Sequence, residues 1–168
     1  KNNYGELNDP HGGIGDLQRK ILITPLEPEA TFKDDPLRIL RGVRFASQLN
    51  FSLASNVKDA MISQRKHLEF ISQERITQEV IKTLKTPKPS IGLNLLRELN
   101  LYPYVFPEVD NLGGVDIIDG KGHKDVFYHT LEVVDNAAKL TSKMKIRFAA
   151  LVHDIAKPRT KRFDKQKG

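Results

Sequence analysis

Apolar residues recur at intervals of three and four along most of this chain, which is the spacing of amphipathic helices. The pattern predicts six helices, at about 35–49, 55–65, 73–84, 90–99, 125–140 and 145–155. Only Lys20 to Thr24 has the character of a strand, and we expect its partners to lie upstream of Lys1 or the strand to be unpaired. The chain is therefore predicted to be mainly α, with a short β remnant at its N-terminus.

Residues that begin and end helices support these boundaries. Asp34 or Asp35 can cap the first predicted helix, Pro36 suits its first turn, and Asn50 closes it. The proline pair within residues 86–89 ends one helix and begins another.

Composition adds a class of partner. The chain has 168 residues, which fits one globular domain or two small ones, and it carries 27 Lys and Arg against 21 Asp and Glu. The formal net charge of +6 favours polyanions such as nucleic acid or nucleotide phosphates as partners.

The sequence has no cysteine, no signal peptide and no apolar run long enough for a membrane span, so a reducing cytoplasm is expected. Because it begins at Lys1 and ends in a hydrophilic tail, we expect a piece of a longer protein.

Asp35 and Arg38 are the first candidates for binding chemistry. On a helix they lie about 60° apart, beside Gly42 and Ala46, so a small flat patch would be bordered by an acceptor and a donor. This pair matches the amino group and unprotonated ring nitrogen of cytosine or adenine, and it mismatches uracil and guanine. The alternative is an ordinary ion pair beside a helix N-terminus.

His129, His153 and Asp154 are candidate metal ligands. Two imidazoles and a carboxylate suit a divalent ion, provided that the last two predicted helices lie side by side. Neighbours on a helix point about 100° apart, so Asp154 would have to reach across the site. The alternative is that His129 packs in a helix interface and Asp154 caps a helix or pairs with Lys157.

Two further segments carry weaker signals. The glycine-rich segment from Asp9 to Leu17 has neither phosphate-loop nor dinucleotide-binding spacing, and it predicts a hairpin turn. The segment from Ser72 to Arg75 predicts a helix cap with an acidic first turn, and the alternative is a phosphate contact made by Arg75.

Taken together and in order, these segments resemble the motifs of the class II tRNA nucleotidyltransferases, which comprise the CCA-adding enzymes and their bacterial poly(A) polymerase relatives. Four motifs carry the resemblance. They are the palm-to-neck motif at Asp9 to Leu17 with Lys20-Ile21; the nucleotide-selecting neck motif at residues 31–46, TFKDDPLRILRGVRFA; a structural motif at Gln73-Glu74-Arg75-Ile76 with Glu79 and Lys82; and an HD-type metal motif at Gly122-His123-Lys124, His129 and His153-Asp154.

The resemblance implies roles for the neck residues. Asp35 and Arg38 would hydrogen-bond the base of incoming CTP or ATP. Asp34 stands where the family usually has Glu, which leaves its supporting role open. Arg41 and Arg44 would either hold a phosphate or brace the helix.

Two departures from the family pattern affect the expected sites. Gly42 replaces a more usual Ala, which should deepen the base pocket slightly and weaken the helix by up to about 1 kcal/mol. The HD site formed by His129, His153 and Asp154 is incomplete, because its later Asp ligand is expected beyond Gly168. Metal retention by this chain is therefore expected to be weak or absent.

The resemblance also implies a domain order and an activity. Residues 1–26 would end the catalytic palm, 27–115 would form a helical neck and body, and 116–168 would begin the HD domain. The parent protein would bind tRNA and add its 3′-CCA end from CTP and ATP, with Mg²⁺ held by palm carboxylates that this chain lacks. The chain alone should therefore not add nucleotides.

Three alternatives stay open from the sequence. The first is a poly(A) polymerase or an enzyme that adds only C or only A. The second is an HD-type metal-dependent phosphohydrolase built on His129, His153 and Asp154, with the preceding helices as a scaffold. The third is a non-catalytic RNA-binding module.

Overall fold

The computed structural model describes residues 5, 8–112, 117–118, 121–122 and 125–160. The HD-type motif residues His123 and Lys124 and the C-terminal basic tail from 161 lie outside the described residues. In chain order the elements are α1 (Gly13–Arg19), β1 (Ile21–Leu22), α2 (Pro28–Asp34), α3 (Leu37–Leu49), β2 (Ser52–Leu53), α4 (Ser55–Gln64), a 3₁₀ helix (Arg65–Phe70), α5 (Gln73–Leu84), α6 (Pro89–Glu98), α7 (Tyr102–Val105), α8 (Pro107–Asp110), β3 (Ile117–Ile118), β4 (Lys121–Gly122), α9 (Val126–Leu140), α10 (Met144–Val152) and α11 (Lys157–Thr160).

The mainly helical fold is confirmed. The ends of α3, α4, α5, α6 and α9 lie within two residues of the predicted ones. Asn50 adopts the left-handed conformation at φ 55° and ψ 46°, and its N–H bonds to the carbonyl of Ala46. At the start of α9 the Asp125 carboxylate accepts the N–H of Phe127 at 2.8 Å.

The N-terminal expectations were partly wrong. The glycine-rich segment forms α1 instead of a hairpin turn, because the Asp9 carboxylate accepts the N–H groups of Gly13 and Ile14 at 2.7 and 3.0 Å. These backbone hydrogen bonds hold the pKa of Asp9 below its ordinary value. The strand is shorter than predicted, and its partner lies within the chain, since β1 pairs in parallel with β2.

Several short or displaced elements also differ from the sequence pattern. The helix α2 was not predicted; it buries only Pro28 and Phe32, too few positions to produce a visible period. The irregular connection expected at 102–107 contains the one-turn helices α7 and α8. The last predicted long helix ends at Val152, three residues early, and this places His153 and Asp154 beyond the helix.

The core lies between α3, α5 and α6, with α4 and α2 packed on one side and α9 and α10 on the other. Three α3 residues at helical spacing, Ile39, Leu40 and Val43, are almost fully buried. Gly92 permits the close approach of α6, because a Cβ at this position would lie 2.4 Å from Cγ2 of Thr83 and 3.2 Å from Cβ of Ser47. None of the helices in the described part of the chain is long and apolar enough to cross a membrane.

Two polar contacts tie α9 and α10 to the preceding helices. The buried guanidinium of Arg147 donates to the carbonyls of Leu84 and Thr86 at the end of α5, and to those of Ala138 and Thr141 at the end of α9, all at 2.8 to 3.0 Å. The second contact joins Asp135 of α9 to Ser90 of α6. Its carboxylate accepts both the backbone N–H and the hydroxyl of Ser90, at 2.9 and 2.6 Å.

Candidate functional site

The residues predicted to bind the base, Asp35 and Arg38, lie at the junction between α2 and α3. Asp34 is the last residue of α2, and Asp35 is extended at φ −139° and ψ 97°. Oδ1 of Asp35 accepts the N–H of Leu37 at 3.2 Å, so this side chain helps to begin α3. The predicted 60° relation to Arg38 on one helix does not apply, because Pro36 follows Asp35 and the helix begins at Leu37.

Asp35 and Arg38 each contact a different partner. Nη1 of Arg38 lies 2.8 Å from Oδ2 of Asp34 and donates to the carbonyl of Thr31 at 3.1 Å. Oδ1 of Asp35 lies 3.7 Å from Nη2 of Arg75. These ion pairs are partly exposed to solvent, so each contributes roughly 1 kcal/mol or less and a ligand can displace it at low cost.

Polar atoms remain for a ligand on both side chains. The contacts of Asp35 use Oδ1, and those of Arg38 use Nη1. Among the described residues no hydrogen bond is found to Oδ2 of Asp35 or to Nη2 and Nε of Arg38. An acceptor and a donor therefore stay available one turn apart in sequence.

A cavity of about 230 Å³ opens beside α3. Arg38, Arg41 and Gly42 line it from α3, and its other walls are mostly apolar side chains, including Phe32 and Phe45. Apolar walls with a few polar groups are the usual composition of a small-molecule site. Asp35 does not line this cavity.

The structure corrects the patch expected around the pair. Ala46 is fully buried and borders no open surface. Gly42 does line the cavity, but a Cβ at this residue would lie 2.5 Å from Cε of Met61. The Met61 side chain therefore occupies much of the room that the missing methyl group leaves, and the cavity gains little depth from it.

Arg44 of α3 contacts α5 and two neighbours on its own helix. Its Nε lies 2.7 Å from Oε2 of the buried Glu79, its Nη1 donates to Gln48, and its guanidinium stacks 4.1 Å from the centre of the Phe45 ring. Burial raises the pKa of Glu79, but hydrogen bonds from Lys82 and Arg44 outweigh it and hold the pKa below its ordinary value. At neutral pH the Glu79 carboxylate is therefore ionised and paired with Arg44 and Lys82.

Arg41 is exposed, with no partner found in the described residues.

The three predicted metal ligands come together. His129 lies in the first turn of α9, and His153 and Asp154 follow α10, which packs against α9. One ligand atom from each lies within 4.8 Å of the others, and the two imidazole rings are 5.5 Å apart. Because α10 ends at Val152, both neighbouring side chains reach the same place without sharing a helix face.

The chemistry of these donors fits a divalent cation. Nδ1 of His153 lies 2.8 Å from the carbonyl of Ala150, which only accepts, so Nδ1 carries a proton and neutral His153 presents Nε2 as the ligand atom. Nε2 is 3.2 Å from Oδ2 of the buried Asp154. Lys157 also contacts this oxygen, with Nζ at 2.6 Å. A metal ion would compete with Lys157 for it, and three protein ligands leave positions open for water or substrate.

Sequence reasoning missed one partner and left another open. Arg75 contacts Asp35 across 40 positions of sequence, and the first turn of α5 carries no local signal for that contact. The pairing of Asp154 with Lys157 was one of the alternatives, and its i,i+3 spacing is the signal that identifies it.

Two family models match the chain. One is described as the probable RNA and SrmB-binding site of polymerase A and matches residues 50–112. The other is the HD domain and matches residues 126–168, which include all three candidate metal ligands. The candidate nucleotide-binding residues between Asp34 and Arg44 lie outside both matches.

Curated relatives align with almost the whole chain. The chain is 39% identical over 163 residues to the multifunctional CCA protein of Psychromonas ingrahamii, covering 93% of this chain and 39% of that protein. For the multifunctional CCA protein of Vibrio parahaemolyticus, identity is 39% over 160 residues, covering 91% and 38%. The chain therefore spans about two fifths of the length of these relatives.

Solved structures share the fold. The Bacillus stearothermophilus CCA-adding enzyme in complex with CTP has 29% identity and a TM-score of 0.62, covering 93% of this chain and 43% of that one. A tRNA nucleotidyltransferase complexed with a primer tRNA and an incoming ATP analog has 23% identity and a TM-score of 0.66, covering 90% and 44%. At 23% identity the second likeness shows the fold alone.

Proposed function

We propose that this chain, which is 39% identical to a multifunctional CCA protein and shares the fold of a CCA-adding enzyme, is part of a class II nucleotidyltransferase that adds or repairs the 3′-CCA end of tRNA from CTP and ATP. In this proposal, residues 1–26 end the catalytic palm, 27–115 form the neck and body, and 116–168 begin an HD domain. The protein would work in the cytoplasm, with Mg²⁺ in the palm supplying charge stabilisation for nucleotidyl transfer.

The observation that carries the proposal is the state of Asp35 and Arg38. Each is held by one polar atom and keeps another unused, and Arg38 borders a cavity beside α3. The amino group of cytosine or adenine would donate to Oδ2 of Asp35, and the ring nitrogen would accept from Arg38. UTP and GTP would leave both contacts unpaired, at roughly 1 to 3 kcal/mol each.

The neighbouring residues have supporting roles in this proposal. Asp34 and Thr31 hold Arg38 in place until a base arrives, and Arg75 holds Asp35. Arg41, which is exposed at the cavity, would contact the phosphates. Arg44 keeps α3 fixed on α5 through Glu79.

The test uses a full-length protein that carries this chain. Asp35→Ala and Arg38→Ala should each reduce discrimination against UTP and GTP by about tenfold or more, measured as the ratio of kcat/KM values on tRNA lacking its 3′ end. Arg19→Ala is the matched control, since Arg19 is an exposed arginine in an i,i+3 pair with Asp16. Unchanged discrimination in both neck variants would exclude the proposed role.

The same assay separates the related activities. CTP and ATP supplied singly and together distinguish complete CCA addition from poly(A) synthesis and from addition of only C or only A. Loss of nucleotide selection in Arg38→Ala with unchanged tRNA affinity would exclude a non-catalytic RNA-binding module.

A second function is favoured by the metal-ligand cluster. His129, His153 and Asp154 suit an HD-type phosphohydrolase, in which the bound divalent metal would polarise a phosphate ester and activate water. Phosphatase activity with added Mn²⁺ or Ni²⁺ should disappear in His153→Ala, while exposed His11 serves as the control position in His11→Ala. Activity that survives in His153→Ala would exclude this site.

A further inference from the structure

Two segments of the chain combine strong positive charge with a complete absence of carboxylates. Residues 80–97 and 136–153 together contain six lysines and two arginines and no Asp or Glu. The first segment covers the end of α5 and nearly all of α6, and the second runs from the end of α9 through α10. The segments are far apart in sequence, so their charges form one surface only if the fold brings them together.

Arg147 brings them together. Its guanidinium binds carbonyls on both sides of Lys85, namely those of Leu84 and Thr86, and also those of Ala138 and Thr141. Lys139 directly follows Ala138, and the α9–α10 turn continues from Thr141. We use the name lysine face for the five exposed lysines around this guanidinium, which are Lys85, Lys88, Lys139, Lys143 and Lys145.

The lysine face has no partner in the part of the chain that the structure describes. No ion pair to a described carboxylate is found for its side chains, whereas nearby Lys82 pairs with Glu79 and nearby Asp135 is bound to Ser90. Lysines near helix C-termini often neutralise the last carbonyls. Here Arg147 already binds carbonyls at the ends of α5 and α9, so the five ammonium groups stay available to an anion.

An apolar groove of about 490 Å³ adjoins the lysine face. Leu84, Met144 and Lys145 line it, and each is an immediate sequence neighbour or a member of the lysine face. The rings of Phe106 and Phe148 lie parallel in its wall, with centroids 6.4 Å apart, and Phe148 is 44% exposed. An accessible aromatic face beside several exposed lysines is the combination that binds single-stranded nucleic acid by stacking and charge.

We infer that the lysine face and this groove form an RNA-binding surface, in which the lysines contact backbone phosphates and an unpaired base stacks on Phe148. The inference rests on the proposed function and extends it to the α9–α10 turn. Half of this surface lies in the region matched by the HD model, outside the region matched by the RNA-binding model. The α9–α10 turn then serves RNA binding independently of the metal ligands.

The charge contribution is tested by the salt dependence of binding. A fluorescent tRNA lacking its CCA end is titrated with the 168-residue chain at several salt concentrations. The double variant Lys85→Gln/Lys139→Gln should reduce the slope of log K against log salt by about 2, because two phosphate contacts are lost. The matched control is Lys33→Gln/Lys66→Gln, two exposed lysines elsewhere, which should change the slope by less than about 0.5.

The stacking contribution is tested separately. Phe148→Ala should weaken binding of tRNA about tenfold with no change in the salt slope, because stacking is not an ionic contact. Ile146→Ala, at an exposed residue of the same helix, is the control. Circular dichroism verifies that all four variants keep their helices.

Three results would overturn the inference. They are a wild-type salt slope in Lys85→Gln/Lys139→Gln, wild-type affinity in Phe148→Ala, and equally tight binding of polyglutamate, which would indicate an acidic protein partner. The readout is RNA affinity and needs no nucleotide addition. Failure of this surface is therefore distinct from failure of base selection by Asp35 and Arg38.

Discussion

Arg38 and Arg147 are the same residue type in two very different surroundings. Arg147 is only 6% exposed and donates to four backbone carbonyls that come from two separate parts of the chain. The Arg38 side chain is 41% exposed, and one of its nitrogens contacts Asp34 and the carbonyl of Thr31. The fold engages every nitrogen of the Arg147 guanidinium, whereas Arg38 keeps two nitrogens without a hydrogen bond to the described residues.

This difference shows how burial separates structural from functional arginines. A buried cation must have its donors satisfied at all times, so Arg147 cannot exchange partners. A solvent-exposed pair is worth little, so Arg38 can leave Asp34 for a ligand at small cost. The predicted effects of substitution on folding follow the same order.

The largest effect is expected at Arg147. Arg147→Met should lower the free energy of unfolding by about 3 kcal/mol, because two buried and two partly buried carbonyls lose their donor. Urea unfolding at neutral pH measures it, with Arg19→Met, at an exposed arginine, as a control expected to change by less than about 0.5 kcal/mol. A loss below about 1 kcal/mol in Arg147→Met would contradict the contrast between the two regions.

An intermediate effect is expected at Glu79, whose carboxylate is buried but paired with Arg44 and Lys82. Glu79→Gln should cost about 2 kcal/mol at neutral pH. The folded pKa lies below the ordinary value of 4.5, so this stabilisation is present above 4.5 and is lost as the pH falls through the folded pKa. Urea unfolding from neutral pH to about pH 3 should therefore show the gap between wild type and variant narrowing. A gap that stays constant would mean that the Glu79 carboxylate contributes no ionised contact.

The smallest effect is expected at Asp34, the carboxylate that contacts Arg38. Its side chain is 70% exposed, so Asp34→Ala should change the free energy of unfolding by less than about 0.5 kcal/mol. The same urea unfolding measurement applies. A loss above about 1 kcal/mol would show that the Arg38 pair is structural and would remove the distinction from Arg147.

Different parts of the molecule were predictable to different degrees. The helices α4 and α5 were predicted to within one residue because their apolar positions and flanking residues act locally. The metal ligands were predicted as a set, and the structure brings them together. The geometry expected for the candidate pair at α3 was wrong, since the extended backbone of Asp35 breaks the helical spacing that was assumed, and the role of the pair stays a prediction.

The sequence by itself determined the helical class and most of the helix ends, and it singled out the candidate residues, because side-chain periodicity and capping depend on neighbours within a few positions. Only the tertiary structure decided partners: β1 with β2, Asp35 with Arg75, and Arg147 with the ends of α5 and α9. The first two contacts, and that of Arg147 with α5, join residues at least 31 positions apart. The contact of Arg147 with Ala138 at the end of α9 spans nine positions and depends on how α10 packs against α9. Local sequence cannot specify them, because their free energy arises only when distant elements bury their apolar faces together.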